Sequence, residues 1–509
     1  MKPGLPGFSR SFWLRIPRRE LLIYGLLACL FVITTGFGIY SFGPWRVYVV
    51  AAAVLVSVGF TLSEFLAPSE PRLETTVRAS ASDPATEPKP ETVRPASRLS
   101  QVKAEVVLLA FAIAALWGNW GWAGEPRLLP LLHAVLVATG LGCAVQVIGL
   151  AREWYPRRQS GSSSELQHLE SPLPGSARRR EHSMWPLYLA AATLFYTALI
   201  VTVASPYIDV WYQMNEAGKA LLAGKNPYSS PIPDFYKGQA WYGFDSPGFP
   251  YPPLVLLNAT LARLLGLDVR FLLLACVLLG AMLARATALR SGWSCHAADL
   301  VGMLYLFVPR QSFVVKYSHS EPISGLLLVA ALFLLVSKRE RLGLLFLGLF
   351  LGSKQYLIVV APLVLLFCRS PRRLAWCLAG ATAPWLPFVV LNPQALWAAA
   401  FEVHMQRPAR KDALTLSAWL IARGLSPLAR WIPLAAGGLA AIVQGLRVGS
   451  SVPRLALGIA SSLMITLFLS PQAFGNYYLL VTWAVLGAAA TSAPCLPCVG
   501  QASTQTSSR

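Results

Sequence analysis

Apolar runs long enough to cross a bilayer recur from one end of the chain to the other. Roughly 20 such residues span ~30 Å of hydrocarbon. They fall near 21–42, 46–67, 104–122, 128–151, 184–205, 269–289, 298–315, 320–337, 374–391, 430–446, 454–470 and 477–493. The run 342–368 is too long for one straight crossing and has basic flanks, "SKRER" and "CRSPRR". It predicts a hairpin of two short arms that turns at "GSKQ", Gly352 to Gln355, with Lys354 in a dip at the membrane surface. The pattern predicts an all-α polytopic membrane protein of about 14 transmembrane helices. A barrel would instead carry short alternating segments.

The polar intervals divide the chain. A first transmembrane pair occupies 1–67, and a second occupies 104–151. Between them, 68–103 is rich in Pro, Ser, Thr and mixed charge, the composition of a disordered linker. A basic linker, 152–183, carries Arg157, Arg158 and Arg178 to Arg180. The main membrane domain is 184–493, followed by a tail, 494–509. Basic loops stay on the cytoplasmic side. That rule puts both linkers, both termini and the tail in the cytoplasm, and the long loop 206–252 on the outer face. The run 253–267 then has to lie along the outer surface as a juxtamembrane helix, because a crossing there would turn every later basic loop outward. The N-terminus reads as a signal-anchor helix, since its apolar stretch is too long for a cleaved signal and lacks a cleavage site.

Composition sharpens this picture. Of 509 residues, 55% are hydrophobic and only 13% charged, about half the charged share of a soluble protein. The net charge of +20 collects in short loops, and no aromatic–basic module accompanies it, which excludes a nucleic-acid partner. Eight cysteines are scattered without a disulfide framework. The lone pair in "CLPC", Cys495 and Cys498, lacks the further ligands of a zinc site. The Asn258 sequon lies in an apolar helix and reads as chance.

Chemistry-bearing residues gather on the predicted outer face while helix interiors stay nearly free of charge. They are Asp209, the "GKNPY" turn with Tyr228, "SPGFPYPP" with Tyr251, and "VVKYSHSEP" with His319 and Glu321. Further on come Lys354 and Gln355, then "HMQRPARKDALTLSAWL" with His404, Arg407 and Arg410, and "SPQAFGNYY" with Gln472, Asn476, Tyr477 and Tyr478. Ionisable groups near the membrane are costly and mark function.

The long outer loop, with Asp209, Tyr212, Ala217, Ala220-Leu221-Leu222, Gly224, Asn226-Pro227-Tyr228 and Tyr251-Pro252-Pro253-Leu254, resembles that of the GT-C membrane glycosyltransferases. In pattern it is similar to the GT87-type mannosyltransferases that use polyprenyl-phosphate-mannose. Later pieces, "HSEPISGLLLVAALFLL", "LGLFLGSKQYLIVVAPLVLL", "RKDALTLSAWL" and "LSPQAFGNYYLLV", follow in the same order. The resemblance covers roughly 184–493 and leaves the first four helices outside it. It implies a GT-C-like fold and inverting transfer of a sugar from a polyprenyl-phosphate donor to a lipid-linked or glycan acceptor. Asp209 is then the general base, and Lys354 with Arg407 or Arg410 the donor-phosphate site. His319, Glu321, Gln355, Tyr228, Tyr251, Tyr477 and Tyr478 are substrate-binding or assisting groups. Glu321 is a candidate second acid by location only. Asp209 is followed by Val210 and Trp211, so no DxD pair points to a metal, and no cofactor is expected.

Other readings stay open. Asp209 also suits a helix N-cap, Lys354 a solvated turn, and Arg407 and Arg410 ordinary loop charges. A transporter or flippase accounts equally well for hydrophobicity and helix number, but it calls for polar groups within helix middles and paired halves. A glycan ligase shares the architecture.

Overall fold

The computed structural model describes residues 183–238, 243, 245–308 and 310–492, together with Val137 and Thr139. Apart from Val137, Thr139 and Ser183, the four N-terminal spans, the two linkers and the tail lie outside the described residues.

Within them the chain is helical, with one isolated antiparallel bridge, Ile232 to Ser246. The membrane domain opens with α1 (Trp185–Thr202) and α2 (Asp209–Leu222), then α3 (Pro253–Leu264), α4 (Val269–Arg290), α5 (Cys295–Leu306) and α6 (Gln311–Lys316). Next come α7 (Glu321–Val336), α8 (Glu340–Leu351), a 3-10 turn (Gln355–Val360) and α9 (Ala361–Cys368). They are followed by α10 (Pro371–Thr382), α11 (Leu386–Leu391) and α12 (Pro393–Trp397). A π-turn (Ala398–Glu402) leads into α13 (Val403–Gln406), then α14 (Leu416–Ile421), α15 (Trp431–Val448), α16 (Val452–Leu469) and α17 (Gly475–Thr491).

Among the described residues, four helices are long and apolar enough to cross a membrane: α1, α4, α15 and α16. Shorter apolar helices accompany them, α3, α5, α7 and the stretch Gln355–Cys368. Local chemistry sets their starts. Asp268, Ser294, Ser370, Thr415 and Ser451 each accept an N–H of the first turn that follows, satisfying donors that have no partner inside the helix.

Two expected spans are broken. The run 298–315 forms α5 and α6, separated where Arg310 adopts a left-handed conformation with φ 82°. The run 374–391 forms α10 and α11. Pro384 falls at this break, and a proline removes a helical donor and clashes with the preceding turn. The turn expected at Gly352 to Gln355 is present, with α8 ending at Leu351 and Gly352 as its C-cap.

The core runs along α17 and α16, whose side chains are buried along nearly their whole length. Helices α4, α5, α7 and α16 pack around α17. Exposed apolar residues face outward, among them Leu279 and Met282 on α4 and Leu439 and Leu446 on α15, as a hydrocarbon surround requires. The polar segments that matter for chemistry are the start of α2, the 250–252 segment, the turn before Gln355, the α12–α13 stretch and the start of α17.

Candidate functional site

Asp209 is the first residue of α2. Ile208, extended at φ −155° and ψ 140°, holds the N-cap position, so Asp209 is not the cap that its sequence suggested. Its carboxylate accepts the Val210 N–H at 2.9 Å, and its own N–H reaches the Tyr236 hydroxyl oxygen at 3.4 Å. Burial pushes the carboxyl above its ordinary range, while Arg407, the Val210 N–H and Arg410 pull the other way without cancelling it. A carboxylate at a helix start is favoured by the exposed N–H groups there. A desolvated one is a stronger base.

The arginines that act on Asp209 arrive from far along the chain, after α13. Arg407 is half-buried and feels Tyr251, Tyr477 and Asp209; burial draws its own pKa downward. Arg410 forms a two-pronged ion pair with Asp412, Nε to Oδ1 at 2.9 Å, and its guanidinium lies 4.5 Å from the Phe474 ring centre. The Arg410 N–H donates to Pro471 O at 3.2 Å and the Leu414 N–H to Ala473 O at 2.7 Å. These bonds stitch the arginine loop to the segment entering α17.

Beside this stands a buried polar network. Lys354 Nζ is 2.9 Å from Glu321 Oε1. The Asn476 side-chain amide donates to the same oxygen at 3.1 Å and lies 3.4 Å from His319 Nδ1. The ammonium also sits 5.6 Å from the Tyr477 ring and 6.0 Å from the Tyr356 ring, within cation–π range. Lys354 is therefore not a solvated turn residue. It is an ion-paired group of the interior.

Tyr251 is seated by its neighbours. Gln355 Nε2 donates to Pro250 O at 3.0 Å and Ala400 O at 2.8 Å, and His404 Nε2 lies 2.7 Å from Pro250 O. The carbonyl of Ala400 belongs to the π-turn, where a widened turn alters the regular hydrogen-bond ladder. Gln355 thus pins backbone on two sides. Burial raises the Tyr251 phenol well above its usual range.

The structure brings Asp209, Tyr251, Glu321, Lys354, Arg407, Arg410 and Tyr477 into one electrostatic neighbourhood, with His319 and Gln355 at its edge. Two candidates stand apart. Tyr478 is buried, and its hydroxyl donates to Leu414 O at 2.7 Å; on a helix, only one of two adjacent tyrosines can face the site. Tyr228 is buried against Phe249 and Phe388 and donates to Tyr251 O at 2.9 Å. It shapes the loop, and Gly248 allows this: a Cβ there would lie 2.1 Å from Tyr228 O.

The sequence reading passed over Tyr356, Phe474 and Asp412 as site groups, and it noted Asn476 and His404 without assigning them roles. Their only sequence signal was adjacency to residues it did choose. No family model matches the chain, and no curated protein matches it.

Proposed function

We propose that the protein is a membrane glycosyltransferase that moves a hexose, mannose by resemblance, from a polyprenyl phosphate to a lipid-linked or glycan acceptor. In this reading the site faces the extracytoplasmic side of the cytoplasmic membrane, with both termini in the cytoplasm. The observation that carries it is the meeting of a desolvated carboxylate, Asp209, with the Arg407 and Arg410 guanidiniums. A base and an anion-binding pair side by side suit a displacement at a carbon that bears a phosphate leaving group.

Asp209 takes the proton of the acceptor hydroxyl as its oxygen bonds to the anomeric carbon. The bond from that carbon to the phosphate oxygen breaks, and its electron pair leaves with the polyprenyl phosphate. A single displacement inverts the configuration. Arg407 and Arg410 stabilise the charge that grows on the departing phosphate. Lys354 enters this scheme differently from the sequence reading. Its ammonium is buried at 5% exposure in the pair with Glu321, whereas Arg410 stays 19% exposed in its pair with Asp412, so the phosphate falls to the arginines, and the Lys354–Glu321–Asn476 network serves as a rigid floor.

Membranes carrying the protein, supplied with radiolabelled polyprenyl-phosphate mannose and related donors, should yield a labelled glycolipid or glycan. Asp209→Asn should lower the rate by about 10²–10⁴-fold. Full transfer by that variant would overturn the base assignment. Solute uptake in proteoliposomes without any glycosyl product would favour a transporter instead.

A further inference from the structure

A second ionic junction lies near Asp209, and the proposed mechanism makes no use of it. Arg270, only 1% exposed, sits in the first turn of α4, and its guanidinium is fully engaged. Nε donates to Asp268 Oδ1 at 2.9 Å and Nη2 to Asp268 Oδ2 at 2.8 Å. Nη1 donates to Val203 O at 2.6 Å, and Nη2 reaches Ala204 O at 3.3 Å. Asp268 is equally occupied: it caps α4 through the Arg270 N–H at 2.9 Å and accepts from Trp211 Nε1 at 3.2 Å.

The placement of these grips along the chain is what matters. Val203 and Ala204 close α1 just before Asp209, and Trp211 lies two residues after it on α2. Arg270 supplies donors to carbonyls that the end of α1 leaves without helical partners. Asp268 holds the indole. One arginine–carboxylate unit therefore fixes the chain on both sides of Asp209. A lysine could not reproduce this, because the forked guanidinium meets a carboxylate and two carbonyls at once.

We infer that Arg270, Asp268 and Trp211 form a positioning clamp that sets Asp209 against the acceptor hydroxyl. The inference rests on the glycosyl-transfer reading above. None of the three touches the reacting atoms; they act through the placement of α2. Misplacing a reacting group by about 1 Å can cost on the order of a hundredfold in rate, and a loosened clamp allows displacement of that size.

The test compares Trp211→Phe, Arg270→Lys and Asp268→Asn in purified full-length enzyme with the polyprenyl-phosphate mannose donor. Trp211→Phe removes a single hydrogen bond and keeps an aromatic ring, though a smaller one; the other two serve if it does not accumulate. For Trp211→Phe we expect kcat to fall between about tenfold and a hundredfold, with donor KM within about twofold and the melting temperature retained; Asp268→Asn leaves the buried Arg270 without its carboxylate and lowers the melting temperature too, so its kcat is read per folded enzyme. The acid limb of the pH–rate profile should also move to lower pH as water reaches Asp209, with Arg407, Arg410, Tyr236, Tyr251 and Tyr477 still facing it. Unchanged kcat, or loss that only tracks the folded fraction, would overturn the clamp while a dead Asp209→Asn enzyme left the mechanism standing. A wild-type rate in Asp209→Asn would overturn mechanism and clamp together.

Discussion

Lys354 Nζ and Glu321 Oε1 lie 2.9 Å apart with both side chains almost fully buried, at 5% and 1% exposure. Coulomb attraction alone does not keep such a pair, because removing two charges from water costs several kcal/mol per ion. The Asn476 amide and the two tyrosine rings around the ammonium offset part of that cost.

Breaking one half of this pair should therefore hurt more than removing both. Lys354→Met leaves Glu321 buried and uncompensated, and should destabilise the fold by about 3–5 kcal/mol. The double variant Lys354→Met with Glu321→Leu should recover most of that loss. Thermal unfolding in detergent distinguishes the two. A single variant as stable as the parent would contradict the buried ion pair.

Arg407 partly offsets the desolvation of Asp209. In Arg407→Gln that pull is gone and Asp209 holds its proton to higher pH, with Arg410 left as the nearby cation. Activity needs the ionised carboxylate, so it is lost as pH falls through the Asp209 pKa. The acid limb of kcat should thus shift to higher pH in the variant, opposite to the shift expected from the clamp variants. Donor KM should rise as well, because the same arginine meets the phosphate. A limb that stays put would separate Arg407 from Asp209.

Burial lowers His404 and His319 from the ordinary 6.5 to about 4. Below pH 6.5 the unfolded chain takes up protons that the folded imidazoles refuse. Stability should therefore decline as pH falls from 6.5 towards 4, then level off from this source. His404→Asn can still face Pro250 O with its amide and does not titrate, so it should flatten part of the decline. Melting temperatures at pH 7.5 and 5 provide the comparison, and an unchanged slope would count against a buried neutral His404.

The sidedness of the proposed site has its own check. Lys225 is exposed in the turn after α2, so Lys225→Cys should react with a membrane-impermeant thiol reagent added outside intact cells. Reaction only after the cytoplasm is opened would place Asp209 on the wrong face for a lipid donor presented outside.

Helix existence was legible in the apolar runs, since hydrophobic length needs only local sequence. The site was partly legible for the same reason: Asp209 and Arg407 fall in polar gaps between runs, and Tyr477 is the first residue of one. What escaped was whatever depends on partners distant in sequence. Nothing around Lys354 announces Glu321, 33 residues away in sequence. The choice between Tyr477 and Tyr478 depends on helix rotation, and hydrophobicity does not fix rotation in a helix buried all round. The break at Arg310 is a backbone event, one that a continuous apolar pattern conceals.

The π-turn at Ala398–Glu402 lies inside an otherwise continuous helical stretch, from Pro393 to Gln406. An α-helix advances about 100° per residue, so one extra residue in a turn is an angular offset for everything that follows. Here that offset is inherited by His404, which meets the Pro250 carbonyl, and by Arg407 just past the helix end. A one-residue deletion would leave the composition of this segment almost untouched yet swing both side chains about a quarter-turn around the axis. The stretch is thus a dial whose setting is held by a residue count, and its tolerance for insertions and deletions should be far narrower than its tolerance for substitutions.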